Sequence, residues 1–159
     1  MFGICNESDK KVFVKYLITT KIRNNSLRNY INDFMESNPE IVAENTDIIV
    51  ILKDKPNDSL LKVVDDFYNE SNIYINLFYI KSLMFNILNH EYVPDHKIIS
   101  EEDFKEVKHN YNINSRLQLP IISRHDAVST VLGIRPGNVV KITRPSQTSG
   151  QYTSYRCCK

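Results

Sequence analysis

LPIISRHDAVSTVLGIRPGNVVKITRPSQTSGQYTSYRCCK, Leu119–Lys159, packs a full set of fold signals into a short span. Asp126 stands where a helix N-cap belongs, and Val128, Val131 and Leu132 follow at helical spacing as the inward stripe. Gly133 occupies the place of a left-handed residue at the helix end. Pro136-Gly137 predicts a type II turn, because glycine tolerates a positive φ at its third position. Val139–Arg144 and Tyr152–Cys158 read as two strands around the turn-rich PSQTSG of 145–150, so they predict an antiparallel hairpin. In Asn112–Lys159 seven residues are Lys or Arg and only Asp126 is acidic. Such an imbalance on an ordered module points to a docking surface.

Upstream, Ser100 and Asp103 have capping-box spacing, with Ile99 and Phe104 as its hydrophobic staple. Phe104, Val107 and Tyr111 give that helix its buried stripe. Leu117–Ile122 reads as extended across Pro120. FNILNHEYVPDHKI (85–98) reads as a strand interrupted near Pro94. Farther back, Val12–Ile18, Asp47–Leu52 and Ile73–Ile80 have strand composition. Ser26–Glu36 carries an apolar helical stripe with Pro39 as its stop. Asn57 or Asp58 caps a helix facing inward through Leu60, Leu61, Val64, Phe67 and Tyr68. Strand, helix and strand at this spacing predict a βαβ unit with a parallel pair. No glycine-rich loop follows a strand, so nucleotide binding is unsupported. The fold class is α+β, in two parts, 1–84 and 85–159.

Charge separates the two parts further. Residues 1–96 carry ten Lys/Arg against fourteen Asp/Glu, and residues 97–159 carry ten against five, while the whole chain has a formal net charge of +1. The longest apolar run, Ile48–Leu52, is far short of the roughly 20 residues of a membrane span. The N-terminal MFGICNESDKK lacks the order of a secretory signal. Three cysteines, two of them adjacent, make a poor disulfide framework and point to a reducing compartment.

The sequence holds little that could be an active site. His90 and His96 are six apart around a proline, Cys157 and Cys158 alternate faces of a strand, and Cys5 is remote, so no metal site is expected. Asp126 beside His125 is better used as a helix cap than as a catalytic pair. Glu101, Glu102 and Asp103 suit the first turn of a helix. No hydrolase or P-loop pattern is present, and no cofactor is implied. The basic set, Arg124, Arg135, Lys141, Arg144 and Arg156, reads either as a solvated edge or as a surface for an acidic partner. Lys141 and Arg144 fall on opposite faces of a regular strand, as do Tyr152 and Tyr155, which disfavours base stacking and favours a protein partner.

The stretches HEYVPDH (90–96), IISEED (98–103), LPIISRHDAVSTVLG (119–133), IRPGNVVKITRPSQTSG (134–150) and YTSYRCC (152–158) resemble, in order, the assembly domain of RNA polymerase subunit five of eukaryotes and of its archaeal counterpart, which lacks a jaw. The N-terminal part is similar only in outline, to the jaw domain of eukaryotic members. The resemblance implies a three-layer-like βαβ jaw, shortened, and a small α/β assembly domain with a mixed sheet and two helices. It implies a non-catalytic subunit that docks on the largest polymerase subunit beside the other subunits, with the jaw toward downstream DNA and no membrane contact. The docking residues it points to are Arg124, Arg135, Lys141, Arg144, Ser146, Thr148, Gly150, Tyr152, Tyr155 and Arg156. Reversing Arg144 and Arg156 to Glu is expected to weaken assembly and spare the fold. Ala127 and Gln151 depart from the family, which usually has proline and a basic residue there. A compact jaw in an Asn- and Ile-rich chain points to a large DNA virus; the expected location is the nucleus, or the host cytoplasm or virion if the source is viral. The other reading is a free nucleic-acid-binding regulator using the basic face.

Overall fold

A computed structural model describes residues 2–4, 11–18, 22–37 and 47–159, the side chains of 2–4 and 11 excepted. Pro39 and Cys5 lie outside them. The chain divides into two compact units, Met1–Phe85 and Asn86–Lys159. Together they make a mixed α+β architecture with two four-stranded sheets and, among the described residues, four α-helices. No helix of the described residues is long and apolar enough to cross a membrane.

Unit 1 runs β1 (Phe2–Ile4), β2 (Lys11–Leu17), α1 (Asn24–Ser37), β3 (Asp47–Leu52), α2 (Asp58–Ser71) and β4 (Tyr74–Tyr79). Its sheet has the order β1-β2-β3-β4; β1 is antiparallel to β2 and the other pairs are parallel. Parallel neighbours need helical crossovers, and α1 and α2 supply them. Asn57 caps α2 by accepting the Leu60 N–H on its side-chain oxygen at 3.0 Å, and Asn72 ends that helix in the left-handed region at φ 54°. Leu27 and Ile31 of α1 and Leu60, Val63, Val64 and Phe67 of α2 pack on Ile48, Val50, Leu52 and Ile75. These strand residues alternate, so both helices lie on one face. Two right-handed crossovers in the same direction along a sheet have that result. The described helices and strands of unit 1 therefore form two layers.

Unit 2 holds β5 (Asp95–Ile98), α3 (Glu101–Tyr111), β6 (Ile121–Ile122), α4 (Ala127–Leu132), β7 (Val139–Ser146) and β8 (Gly150–Cys158), with sheet order β5-β7-β8-β6. β7 and β8 form the expected hairpin in the register Val139↔Cys157 to Ser146↔Gly150. β5 joins β7 antiparallel and β6 joins β8 parallel. One face of the sheet buries Val139 and Cys157 against Phe104 and Val107 of α3 and Leu119. The other buries Val140, Ile142 and Cys158 against Ile122 and Ile134, with Leu132 of α4 alongside.

Several local readings change. Tyr111, expected in the buried stripe of α3, is 59% exposed, and Phe104 and Val107 alone of that stripe are buried. Only Asp95–Ile98 of the 85–98 stretch is strand. Before it, Asn86 accepts the Leu88 N–H at 3.0 Å and starts a 3-10 turn at Ile87–Asn89. Leu117–Ile122 is likewise not extended throughout, because Ser115 caps a 3-10 turn at Arg116–Gln118 and leaves a two-residue β6. Val131 is exposed. In so short a helix the inward stripe is filled by Val128, Ser129 and Leu132.

Ile75 is 1% exposed in the unit 1 core. Ile75→Ala should lower stability by about 2–5 kcal/mol. A urea titration followed by circular dichroism checks this, and an unchanged midpoint would contradict the packing.

Candidate partner-docking surface

The docking candidates are positioned by the module around β8. Ser100 Oγ accepts the Asp103 N–H at 3.1 Å and the Asp103 carboxylate accepts the Ser100 N–H at 3.3 Å, completing the capping box of α3. These bonds hold the Asp103 carboxyl below its usual value, and Lys97 and Lys141 add to the effect. Those two lysines sit directly opposite each other on β5 and β7. Arg116, which its neighbours in sequence did not single out, ties the module together. Its guanidinium lies 5.1 Å from the Phe104 ring centre, donates to the Gly137 carbonyl at 3.2 Å and pairs with both carboxylate oxygens of Glu101.

At the other side Asp126 caps α4 by accepting the Val128 N–H at 3.0 Å, so it is engaged as a cap. Gly133 ends that helix at φ 64°. The Arg135–Asn138 turn closes with Asn138 donating to the Arg135 carbonyl at 3.0 Å, Gly137 taking φ 89° as a type II turn requires.

The structure divides the ten sequence candidates. Arg124 is only 7% exposed, and its N–H donates to the Lys159 carbonyl at 3.1 Å, so it belongs to the interior and not to a presented surface. Arg156 donates from Nη1 to the Ile121 carbonyl at 3.0 Å, fixing the short β6. Glu at position 156 would lose this bond to β6, so Arg144 is the cleaner place to reverse charge. Tyr155 packs on the α3 core and meets Tyr111 edge-on at 5.7 Å between centroids. Its hydroxyl is pushed up, mainly by burial, with Tyr111 and Asp103 contributing. Lys141 is half-buried opposite Tyr155, and Arg135 lies in the turn at the far end of β7.

The remaining five come together at the free end of the hairpin. Arg144 pairs directly with Tyr152, so both side chains share one face, and Tyr152 is 58% exposed. Beyond them Ser146 pairs with Gly150, whose φ of +70° turns the chain. Ser146 and Thr148 hydroxyls lie 3.2 Å apart, and the Ser149 N–H donates to Ser146 Oγ at 3.4 Å. The tip is thus internally braced while Arg144, Thr148 and Tyr152 face solvent.

Cys157 and Cys158 are buried on opposite faces of β8. Burial pushes the Cys158 thiol up to about 11, with Arg124 opposing and Cys157 adding, and burial raises Cys157 as well. No group of three or more His, Cys, Asp or Glu among the described residues could hold a metal ion.

Residues 85–158 match the family model described as RNA polymerase Rpb5, C-terminal domain. The chain is 43% identical over 72 residues to "DNA-directed RNA polymerase subunit Rpo5" of Methanococcoides burtonii, covering 91% of that protein and 45% of this chain. It is 29% identical over 147 residues to "DNA-directed RNA polymerases I, II, and III subunit rpabc1" of Dictyostelium discoideum, covering 92% of this chain and 71% of that protein. It is 26% identical over 152 residues to "DNA-directed RNA polymerase V subunit 5A" of Arabidopsis thaliana, covering 96% of this chain and 64% of that protein.

Two measurements test this geometry. Because the Asp103 carboxyl is depressed in the folded state, its contribution is present above the unfolded value of 3.8 and is lost as pH falls below it through the folded value. Wild type should therefore lose stability between about pH 4 and pH 2 more steeply than Asp103→Asn, and identical profiles would contradict the capping box. Iodoacetamide at pH 8 should leave Cys157 and Cys158 unlabelled until urea is added; labelling of the native chain at either would contradict their burial.

Proposed function

The chain belongs to the RNA polymerase subunit five family, and we propose that it docks on the largest polymerase subunit through residues 85–159. It acts without catalytic groups of its own. Unit 1 is the family's jaw in a compact form, held near downstream DNA by unit 2. The observation that carries the docking reading is the Arg144–Tyr152 pair, exposed on one face of a hairpin whose inner half is locked into two cores. A rigid arm ending in an arginine and a tyrosine has the composition that dominates protein interfaces. It loses little conformational freedom on binding, because Ser146, Thr148 and Ser149 already brace its tip.

A free nucleic-acid-binding regulator fits less well. Tyr155 is committed to the core, leaving Tyr152 as the exposed aromatic of the hairpin, and stacking platforms use several. Arg124 and Arg156 are occupied within the fold, which thins the basic face that phosphate contacts would need.

Arg144→Glu with Tyr152→Ala should reduce recovery with the largest polymerase subunit in a pull-down by at least about tenfold, leaving the circular dichroism spectrum unchanged. Undiminished recovery would refute docking through this face. Steeply salt-dependent binding of DNA by the isolated chain would favour the regulator instead.

A further inference from the structure

One edge of β8 is open over most of its length. On one side β7 pairs with it from Gly150 to Cys157. On the other side β6 meets it at Cys157 and Cys158 alone. The Cys157 N–H donates toward β6, to the Pro120 carbonyl, and the Cys158 N–H toward β7, to the Asn138 carbonyl. Bonding direction alternates along a strand, so Thr153 and Tyr155 follow Cys157. Their N–H and C=O groups face the open side, where no strand among the described residues pairs with them. Gln151 is in the same phase, but its N–H donates to the Ser149 carbonyl at 2.8 Å and belongs to the tip.

The other strands of this sheet guard their edges. Prolines, charges and very short strands keep a second chain from pairing at an edge. Pro145 of β7 stands opposite Gln151 and offers no N–H on its outward side. β5 follows Pro94 and carries Asp95 and Lys97, and β6 is two residues long. Between Gly150 and Arg156, β8 reads Gln-Tyr-Thr-Ser-Tyr, rich in strand formers, with no proline and no charge. Its pairing with β7 is continuous, without a bulge.

We infer that this edge receives an extended segment of the largest polymerase subunit as an added strand. The inference rests on the docking proposed above and says how the contact is made. Backbone donors and acceptors in strand spacing are met by another extended backbone, whereas a helix uses its own internally. The edge begins beside the exposed Arg144–Tyr152 pair, so it continues the tip surface. Alternate side chains of an added strand lie on opposite faces of the sheet. On the α3 face they would meet Tyr155 with exposed Tyr111 against it, and exposed Ile121 beside Cys157 where the open stretch ends. That face calls for apolar residues. On the other face they would meet Tyr152 and, one strand farther, Arg144, which calls for a carboxylate.

The test is residue-resolved amide hydrogen exchange of the full chain, free and with the purified largest polymerase subunit. In the free chain Thr153 and Tyr155 should exchange quickly, and Ser154, which faces β7, slowly. Binding should slow Thr153 and Tyr155 by at least about tenfold. Thr153→Pro removes one outward N–H, as Pro145 does on β7. It should lower recovery with that subunit about tenfold and leave the circular dichroism spectrum unchanged. Should the variant lose its fold, the exchange of the wild type decides. Binding that leaves Thr153 and Tyr155 fast overturns the added strand and leaves docking through the tip standing. Slowing that appears with chain concentration alone, or on adding DNA, gives the edge to a second copy or to nucleic acid and overturns it too. A chain that does not bind the subunit overturns it together with the proposed function.

Discussion

Unit 2 depends on β8 being a central strand paired on both edges and buried on both faces at its end. The Cys157 N–H donates to the Pro120 carbonyl at 2.9 Å on one side, and the Cys158 N–H donates to the Asn138 carbonyl at 2.9 Å on the other. Lys159 then donates back to the Ile122 carbonyl at 3.0 Å. Successive side chains in a strand point to opposite faces, so the two cysteines enter different cores. One joins α3, the other the side of the sheet that carries α4. A small apolar side chain is wanted at both places, and a thiol kept neutral by burial meets that need.

The hairpin can extend beyond those cores because its root is held this firmly. Arg116 closes one side through Phe104, Gly137 and Glu101, and Arg156 holds the short β6 on the other. The Arg116–Glu101 pair is largely solvated and adds little by itself. The hydrogen bond to a backbone carbonyl and the aromatic contact carry more. Basic residues that look alike in the sequence thus divide into two kinds. Some hold the module together, and Arg144 stands exposed beside Tyr152 at the free end of the hairpin.

How far the fold could be read in advance follows from how local each signal is. The Ser100–Asp103 capping box, the Asp126 and Gly133 ends of α4, the Pro136-Gly137 turn and the hairpin all rest on contacts within a few residues, and all are present. The parallel pairing of β3 and β4 followed from composition and spacing. The stretch 85–94 has strand-like residues, yet pairing begins only at Asp95, where β7 offers an edge. A strand needs a partner, and composition alone cannot supply one. Arg116 shows the same limit, since its partners stand 15 and 21 residues away. Arg124, Tyr155 and Arg156 have the same chemistry as Arg144 and Tyr152, and only tertiary packing separates the two sets.

Amide hydrogen exchange of the full chain, free and bound to the largest polymerase subunit, tests the account most directly. In the free chain the amides of Val140, Ile142, Cys157 and Cys158 should exchange most slowly in unit 2, and those of 147–152 quickly. Binding should slow 147–152 and leave the core amides as they were. Fast exchange at Cys157 and Cys158 in the free chain, or a tip unaffected by binding, would contradict a module built on β8 that docks through its hairpin.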